Sequence, residues 1–129
     1  MTAATWWLAG AAAAVVLVPC LATPIRRSWG ALMRRRQARL RAEALLWAWL
    51  SPAQRAQYRA RRWFEVITTS GRRYRILRDG VVRLYPRGSG YCIEATSSVP
   101  VADEMLANKL LLETDERRFL ATAHRFPYR

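Results

Sequence analysis

The chain has 129 residues, 22 of them Lys or Arg against nine Asp or Glu, for a formal net charge of +13. That length ordinarily makes one domain with a modest core. Two cysteines, Cys20 and Cys92, and a single histidine, His124, exclude a disulfide framework and any Cys/His zinc spacing.

The charge is concentrated. Residues 26–63 carry eleven Arg against the single Glu43, whereas residues 64–129 hold eleven basic and eight acidic side chains. Every basic residue except Lys109 is arginine. Arginine's planar fork suits phosphate and lies along apolar surface, but a GC-rich bacterial or phage genome gives the same bias, and that origin ranks first.

The first 22 residues contain no charged side chain, and "WWLAGAAAAVVLVPCLA" runs from Trp6 to Ala22. At about 1.5 Å per residue, a helix over this stretch approaches the ~30 Å hydrocarbon core of a bilayer. Residues 1–25 are therefore expected to form a single transmembrane helix, with Trp6, Trp7, Leu8, Val15, Val16, Leu17, Val18 and Leu21 in the span. A buried helix of a soluble protein and a cleaved signal peptide are the competing readings. Against the signal peptide, no basic residue precedes the apolar run and a dense cluster follows it. Pro19 stands where a lipoprotein cleavage box needs a small residue. Positive charge stays in the cytoplasm, so Arg26, Arg27, Arg34, Arg35, Arg36, Arg39 and Arg41 orient the N-terminus outward. The expected location is the bacterial cytoplasmic membrane, single-pass, with the C-terminal part inside.

Residues 26–50 read as a basic amphipathic helix. Trp29, Leu32, Met33, Leu40, Ala44 and Trp47 recur at helical spacing, interrupted by Arg36, and Leu45, Leu46, Trp49 and Leu50 make the last turn apolar all round. Flanking arginines suit an anionic bilayer at about 1 kcal/mol each, and phosphate backbones equally. Attachment next to a span favours lipid, so Arg26, Arg27, Arg34, Arg35, Arg36, Arg39 and Arg41 are the expected headgroup or phosphate contacts. The competing reading is a solvated helix face. Trp47, Trp49 and Leu50 are too apolar for a free linker and are expected to dock on the following domain or on a partner, self-docking being favoured.

Residues 51–129 read as a small α+β domain. Ser51, Pro52 and Gln54 form a capping box with proline at the first helical position, opening a helix to about Arg62. "FEVITT" alternates, placing Phe64, Val66 and Thr68 on one face, and Ser70-Gly71 gives a turn. "RYRILR" alternates through Tyr74 and Ile76. Asp79-Gly80 signals a two-residue hairpin before "VVRLY", and "YCIEA" reads as a fourth strand. From Pro100 the period is helical again, with Ala102, Met105, Leu106, Leu110 and Leu111 on the expected buried face. A last helix is expected from Thr114 or Asp115 to about His124, buried through Phe119, Leu120 and Ala123. This describes an antiparallel meander of three or four strands with helices on one face.

From Leu50 to Ala123 the motifs "LSPAQ", "YRI" and "VPVADEMLANKLLLETDERRFL" resemble a small bacterial and phage-associated domain of uncharacterised function. The resemblance implies a transferable module joined to a membrane anchor, and it carries no catalytic or binding role.

Candidate sites have ordinary competitors. Cys92 and His124 could pair as nucleophile and base, but nothing in the sequence places them together, and cysteine in an apolar strand is usually buried. Asp103, Glu104, Glu113, Asp115 and Glu116 fit no calcium loop; acidic residues at helix starts already answer the helix dipole. Arg73, Arg75, Arg83 and Arg87, with Tyr74 and Tyr85 among them, could make a nucleic-acid face, yet the alternation explains them as solvent-facing. The expectation is no catalytic site, metal or cofactor. The leading reading is a membrane-anchored accessory or scaffolding subunit, its partners being anionic lipid and other membrane subunits. A membrane-tethered nucleic-acid-binding protein comes second and an enzyme third.

Overall fold

The computed structural model describes residues 28–86, 88–93 and 99–127. The expected transmembrane helix, Arg26, Arg27 and Arg87 lie outside them. Among the described residues no helix is long and apolar enough to cross a membrane. The chain divides into two compact units, residues up to Gln37 and a second from Ala38 to Arg129.

A long helix, α1 (28–49), opens the described chain. The part inside the second unit does not use the stripe expected from its periodicity. Ala42, Leu46 and Leu50, spaced by four, are at most 3 % exposed, whereas Leu40 and Trp49 are 56 % and 55 % exposed. At 100° per residue, Leu46 lies about a third of a turn from Leu40. The domain core thus takes in the end of the basic helix.

The capping box forms as expected and starts α2 (Pro52–Arg61). The Ser51 hydroxyl accepts from the Gln54 backbone N–H, and Gln54 Oε1 accepts from that of Ser51. Arg55 on α2 reaches back to the end of α1 and donates to the Trp47 and Ala48 carbonyls, at 2.9 and 3.3 Å. Carbonyls at a helix C-terminus lack intrahelical partners, so this one side chain closes α1 and fixes the corner.

Five antiparallel strands follow in the order β1-β2-β3-β4-β5: β1 (Trp63–Ile67), β2 (Arg73–Leu77), β3 (Val82–Tyr85), β4 (Gly90–Cys92) and β5 (His124–Phe126). The alternation expected from the sequence holds. Phe64, Val66, Tyr74, Ile76, Val82 and Tyr91 point inward and are buried, and Thr68 continues that face at 4 % exposure. The β2–β3 connection differs from the two-residue hairpin expected at Asp79-Gly80. Leu77 N–H pairs with the Val81 carbonyl and Gly80 N–H with that of Leu77, which leaves a three-residue loop. Gly80 has φ +86°, the left-handed position that glycine fills without penalty in such loops.

The exposed edge of β1 is occupied by α2. Gln54 Nε2 donates to the Glu65 carbonyl (2.8 Å) and Gln57 Oε1 accepts the Glu65 N–H (2.9 Å). An open edge is a template for pairing with other chains. Two glutamines one helical turn apart close this one.

Helices α3 (Val101–Thr114) and α4 (Glu116–Thr122) complete the layer over the inner face. The buried seam of α3 is Met105, Leu106, Asn108, Lys109 and Leu112, rotated from the expected Ala102, Leu110 and Leu111, which pack against it partly buried. The seam includes two polar residues because each has a partner: Asn108 Nδ2 donates to the Gly80 carbonyl, and Lys109 Nζ reaches both carboxylate oxygens of Glu113. Asp115 caps α4 by accepting from the Arg118 N–H. The helix stops at Thr122 rather than near His124. Ala123 is extended and His124–Phe126 adds the unexpected fifth strand, paired to β4.

Leu46 and Leu50 join Phe64, Ile76, Met105, Leu112 and Phe119 in one cluster, each such side chain contributing about 1.5–3 kcal/mol by leaving water. Leu46→Ala should therefore cost about 2–5 kcal/mol. Trp49→Ala, at an exposed position, should change stability by about 0.5 kcal/mol or less. Urea unfolding of the two variants checks both values.

Candidate functional site

The first candidate surface is α1 itself. Arg34, Arg35, Arg36, Arg39 and Arg41 are all exposed. Between them Trp29, Leu32, Met33 and Leu40 are 46–59 % exposed. In the first unit Trp29, Leu32 and Met33 are thus uncovered on the same helical stretch as Arg34, Arg35 and Arg36, and in the second Leu40 is uncovered beside Arg39 and Arg41.

The three residues expected to dock behave differently from one another. Leu50 is in the core. Trp47 is half-buried, edge-on to Tyr58 at 6.0 Å between ring centroids, with the Arg59 guanidinium 5.0 Å above its ring. Trp49 is not part of the core. It lines an open groove of about 520 Å³ with Ala53, Gln57, Ile67, Lys109 and Glu113. Ile67 at 61 % and Leu45 at 47 % exposure put further apolar surface on this side of the module.

The outer face of the sheet bears the arginines expected to form a nucleic-acid surface. Arg73 is exposed, Arg75 and Arg83 half-buried and opposite each other in register. Arg75 is heavily engaged. Its Nε donates to Glu65 Oε1 at 3.0 Å, and its guanidinium sits 4.2 Å from the Trp63 ring centroid and 3.7 Å from that of Tyr85. A cation held over two rings contributes about 0.5–1 kcal/mol per contact at exposed sites. It also occupies the ring faces on which unpaired bases would stack. Tyr74, which the sequence places between the arginines, points to the opposite face and is fully buried.

Cys92 and His124 do come together. They are directly opposed residues of β4 and β5, Cys92 half-buried and His124 exposed. Cys92 is thus on the outer face and not among the core residues. The sequence does not disclose the pairing, because its helical pattern runs on to about His124. Neither side chain has a hydrogen bond among the described residues, so no third group orients the imidazole as a general base requires.

The acidic residues are spread over separate structural tasks, and among the described residues no three His, Cys, Asp or Glu side chains converge on a metal position. The one that organises its surroundings is Glu116. Its carboxylate accepts from the Ser70 hydroxyl and, at 2.7 Å, from Tyr74 Oη, and Arg72 lies 3.5 Å away. These contacts tie the start of α4 to the β1–β2 turn and to a fully buried tyrosine. Burial pushes the carboxyl upward, but hydrogen bonds from Ser70, Tyr74 and Thr68 and the Arg72 charge together hold it below the ordinary carboxylate value. Burial, followed by the bond to Glu116, raises the Tyr74 hydroxyl to about 12.

In comparison with known proteins, no family model, curated protein or solved structure matches the chain. The functional reading rests on the chain's own chemistry.

Glu116→Ala leaves the Tyr74 hydroxyl buried without its acceptor and should cost about 1–3 kcal/mol at neutral pH. Glu116 has a lowered folded pKa, so its contribution is present above the unfolded value of 4.5 and is lost as pH falls through the folded one. Tyr74 has a raised folded pKa, so stability falls as pH rises from 10.0 to about 12. Urea unfolding across pH should show the acid loss in the wild type and a shallower one in Glu116→Ala.

Proposed function

We propose that the protein is a membrane-anchored accessory or scaffolding subunit, held in the bacterial cytoplasmic membrane with its N-terminus outside and its α+β module in the cytoplasm. The observation that carries this reading is the surface of α1. Trp29, Leu32, Met33 and Leu40 stand uncovered among Arg34, Arg35, Arg36, Arg39 and Arg41, directly after a stretch of the sequence with no charged side chain through Ala22. Apolar side chains of this size gain by leaving water, and an anionic bilayer offers them a phase while the arginines meet headgroups. Trp49, Leu45 and Ile67 give the module a second uncovered apolar area, suited to a partner subunit because tryptophan is the residue most enriched where binding energy concentrates.

A membrane-tethered nucleic-acid-binding protein is the second reading, supported by Arg73, Arg75 and Arg83 on one sheet face. It ranks lower because Arg75 is committed to Glu65, Trp63 and Tyr85.

The intact protein, extracted in mild detergent, should retain other membrane subunits, and Trp49→Ala should release them while the chain stays in the membrane fraction. A reporter active only in the cytoplasm, fused after Arg129, should be active. An exported reporter, or retention of nucleic acid in place of protein subunits with sub-micromolar affinity near physiological salt, would contradict the reading.

A further inference from the structure

Where α1, α2 and the first sheet hairpin meet, a pocket of about 280 Å³ is lined by Arg59, Arg62 and Arg78, with Trp47 and Tyr58 as its aromatic wall. The chain accepts two local penalties to place these arginines. Arg62 ends α2 in the left-handed conformation, φ 62° and ψ 25°, a position where glycine is the usual residue and any other side chain is strained. Arg78 then donates its backbone N–H to the Arg62 carbonyl at 3.1 Å, which sets two like charges opposite each other across the strand pair, a destabilising arrangement. Arg59, one helical turn before Arg62, adds a third, stacked on Trp47.

Among the described residues no ion pair neutralises this group. Glu43 also lines the pocket, but the ion pairs among the described residues involve Arg72, Arg75 and Lys109, and none joins Glu43 to Arg59, Arg62 or Arg78. Three guanidinium groups offer many N–H donors in planar forks, the geometry that matches a tetrahedral oxyanion.

We propose that this pocket binds a phosphate group, through Arg59, Arg62 and Arg78, with the Trp47 ring holding the Arg59 guanidinium in place. The bound anion offsets the repulsion between Arg62 and Arg78. The site lies wholly within the unit Ala38–Arg129. The phosphate is either that of a soluble phosphorylated molecule or that of a lipid headgroup, and the experiment separates the two.

The test uses the full-length chain in neutral detergent, titrated with pyrophosphate, and in a second arm the chain offered phosphatidic acid vesicles against phosphatidylcholine vesicles. Arg62→Gly is the informative variant, because glycine suits φ 62° and removes the guanidinium without straining the backbone. Its melting temperature should equal or exceed that of the wild type, and its affinity for the phosphate probe should fall roughly tenfold, as should that of Arg78→Gln, through loss of one charge-assisted contact each. Arg117→Gln, an exposed arginine on α4 with the same change in charge, should bind as the wild type does. Saturable pyrophosphate binding that Arg62→Gly weakens identifies a soluble phosphate; an effect confined to phosphatidic acid vesicles identifies a headgroup. If neither probe distinguishes Arg62→Gly from the wild type, or if Arg117→Gln weakens binding equally, the attraction is diffuse charge and the proposal is overturned.

Discussion

A sheet with one apolar face is stable only when that face is covered, and the source of the cover shapes the rest of this molecule. Phe64, Val66, Tyr74, Ile76, Val82 and Tyr91 form the face. Part of the cover comes from the C-terminal helices through Met105, Leu106, Leu112 and Phe119. The other part comes from ahead of the capping box, through Leu46 and Leu50 at the end of the arginine-rich helix. Because that helix contributes to the core, Arg39 and Arg41 are carried on an element fixed to the sheet. The aromatic contacts bind the layers: Phe119 meets both Tyr74 and Tyr91, at 6.1 and 5.9 Å between centroids, and Tyr58 bridges Trp47 to Phe64.

Apolar burial fixes which surfaces meet, and a few polar groups fix how. Gln54 closes the cap of α2 and one edge bond of β1 with the same side chain, while Gln57 takes the neighbouring bond. Asn108 anchors α3 to the β2–β3 loop, and Glu116 anchors α4 to the β1–β2 turn. Each satisfies a donor or acceptor that would otherwise be costly to bury. They leave the outer sheet face, the Trp49 groove and the arginine pocket as the surfaces with chemistry to spare.

Much of this architecture was readable from local pattern. The capping box, the inward alternation of Phe64, Val66, Tyr74 and Ile76, and the helices after Pro100 each follow from residues near one another in the chain. What could not be read depends on distant partners. Met105 and Leu106 are legible in the seam of α3, but Asn108 looks like a solvent position until the Gly80 carbonyl is known to face it. The strand at His124–Phe126 is three residues long, too short for any period, and exists because β4 offers it an edge. On α1 the apolar residues surround the last turn, so periodicity could not tell the side that meets the sheet from the side that stays exposed. The arginine pocket assembles residues from two helices and a loop, and only the unusual end of α2 at Arg62 hints at it locally.

The central claim is that the end of the basic helix is a structural part of the α+β module. Native-state hydrogen exchange on the full-length chain tests it most directly, since exchange measures the free energy of opening segment by segment. Amides of residues 46–50 should open with the same free energy as those of Val66 and Ile76. If they exchange readily while the strands stay protected, α1 is a detachable arm, and the cover over this part of the sheet has been wrongly assigned.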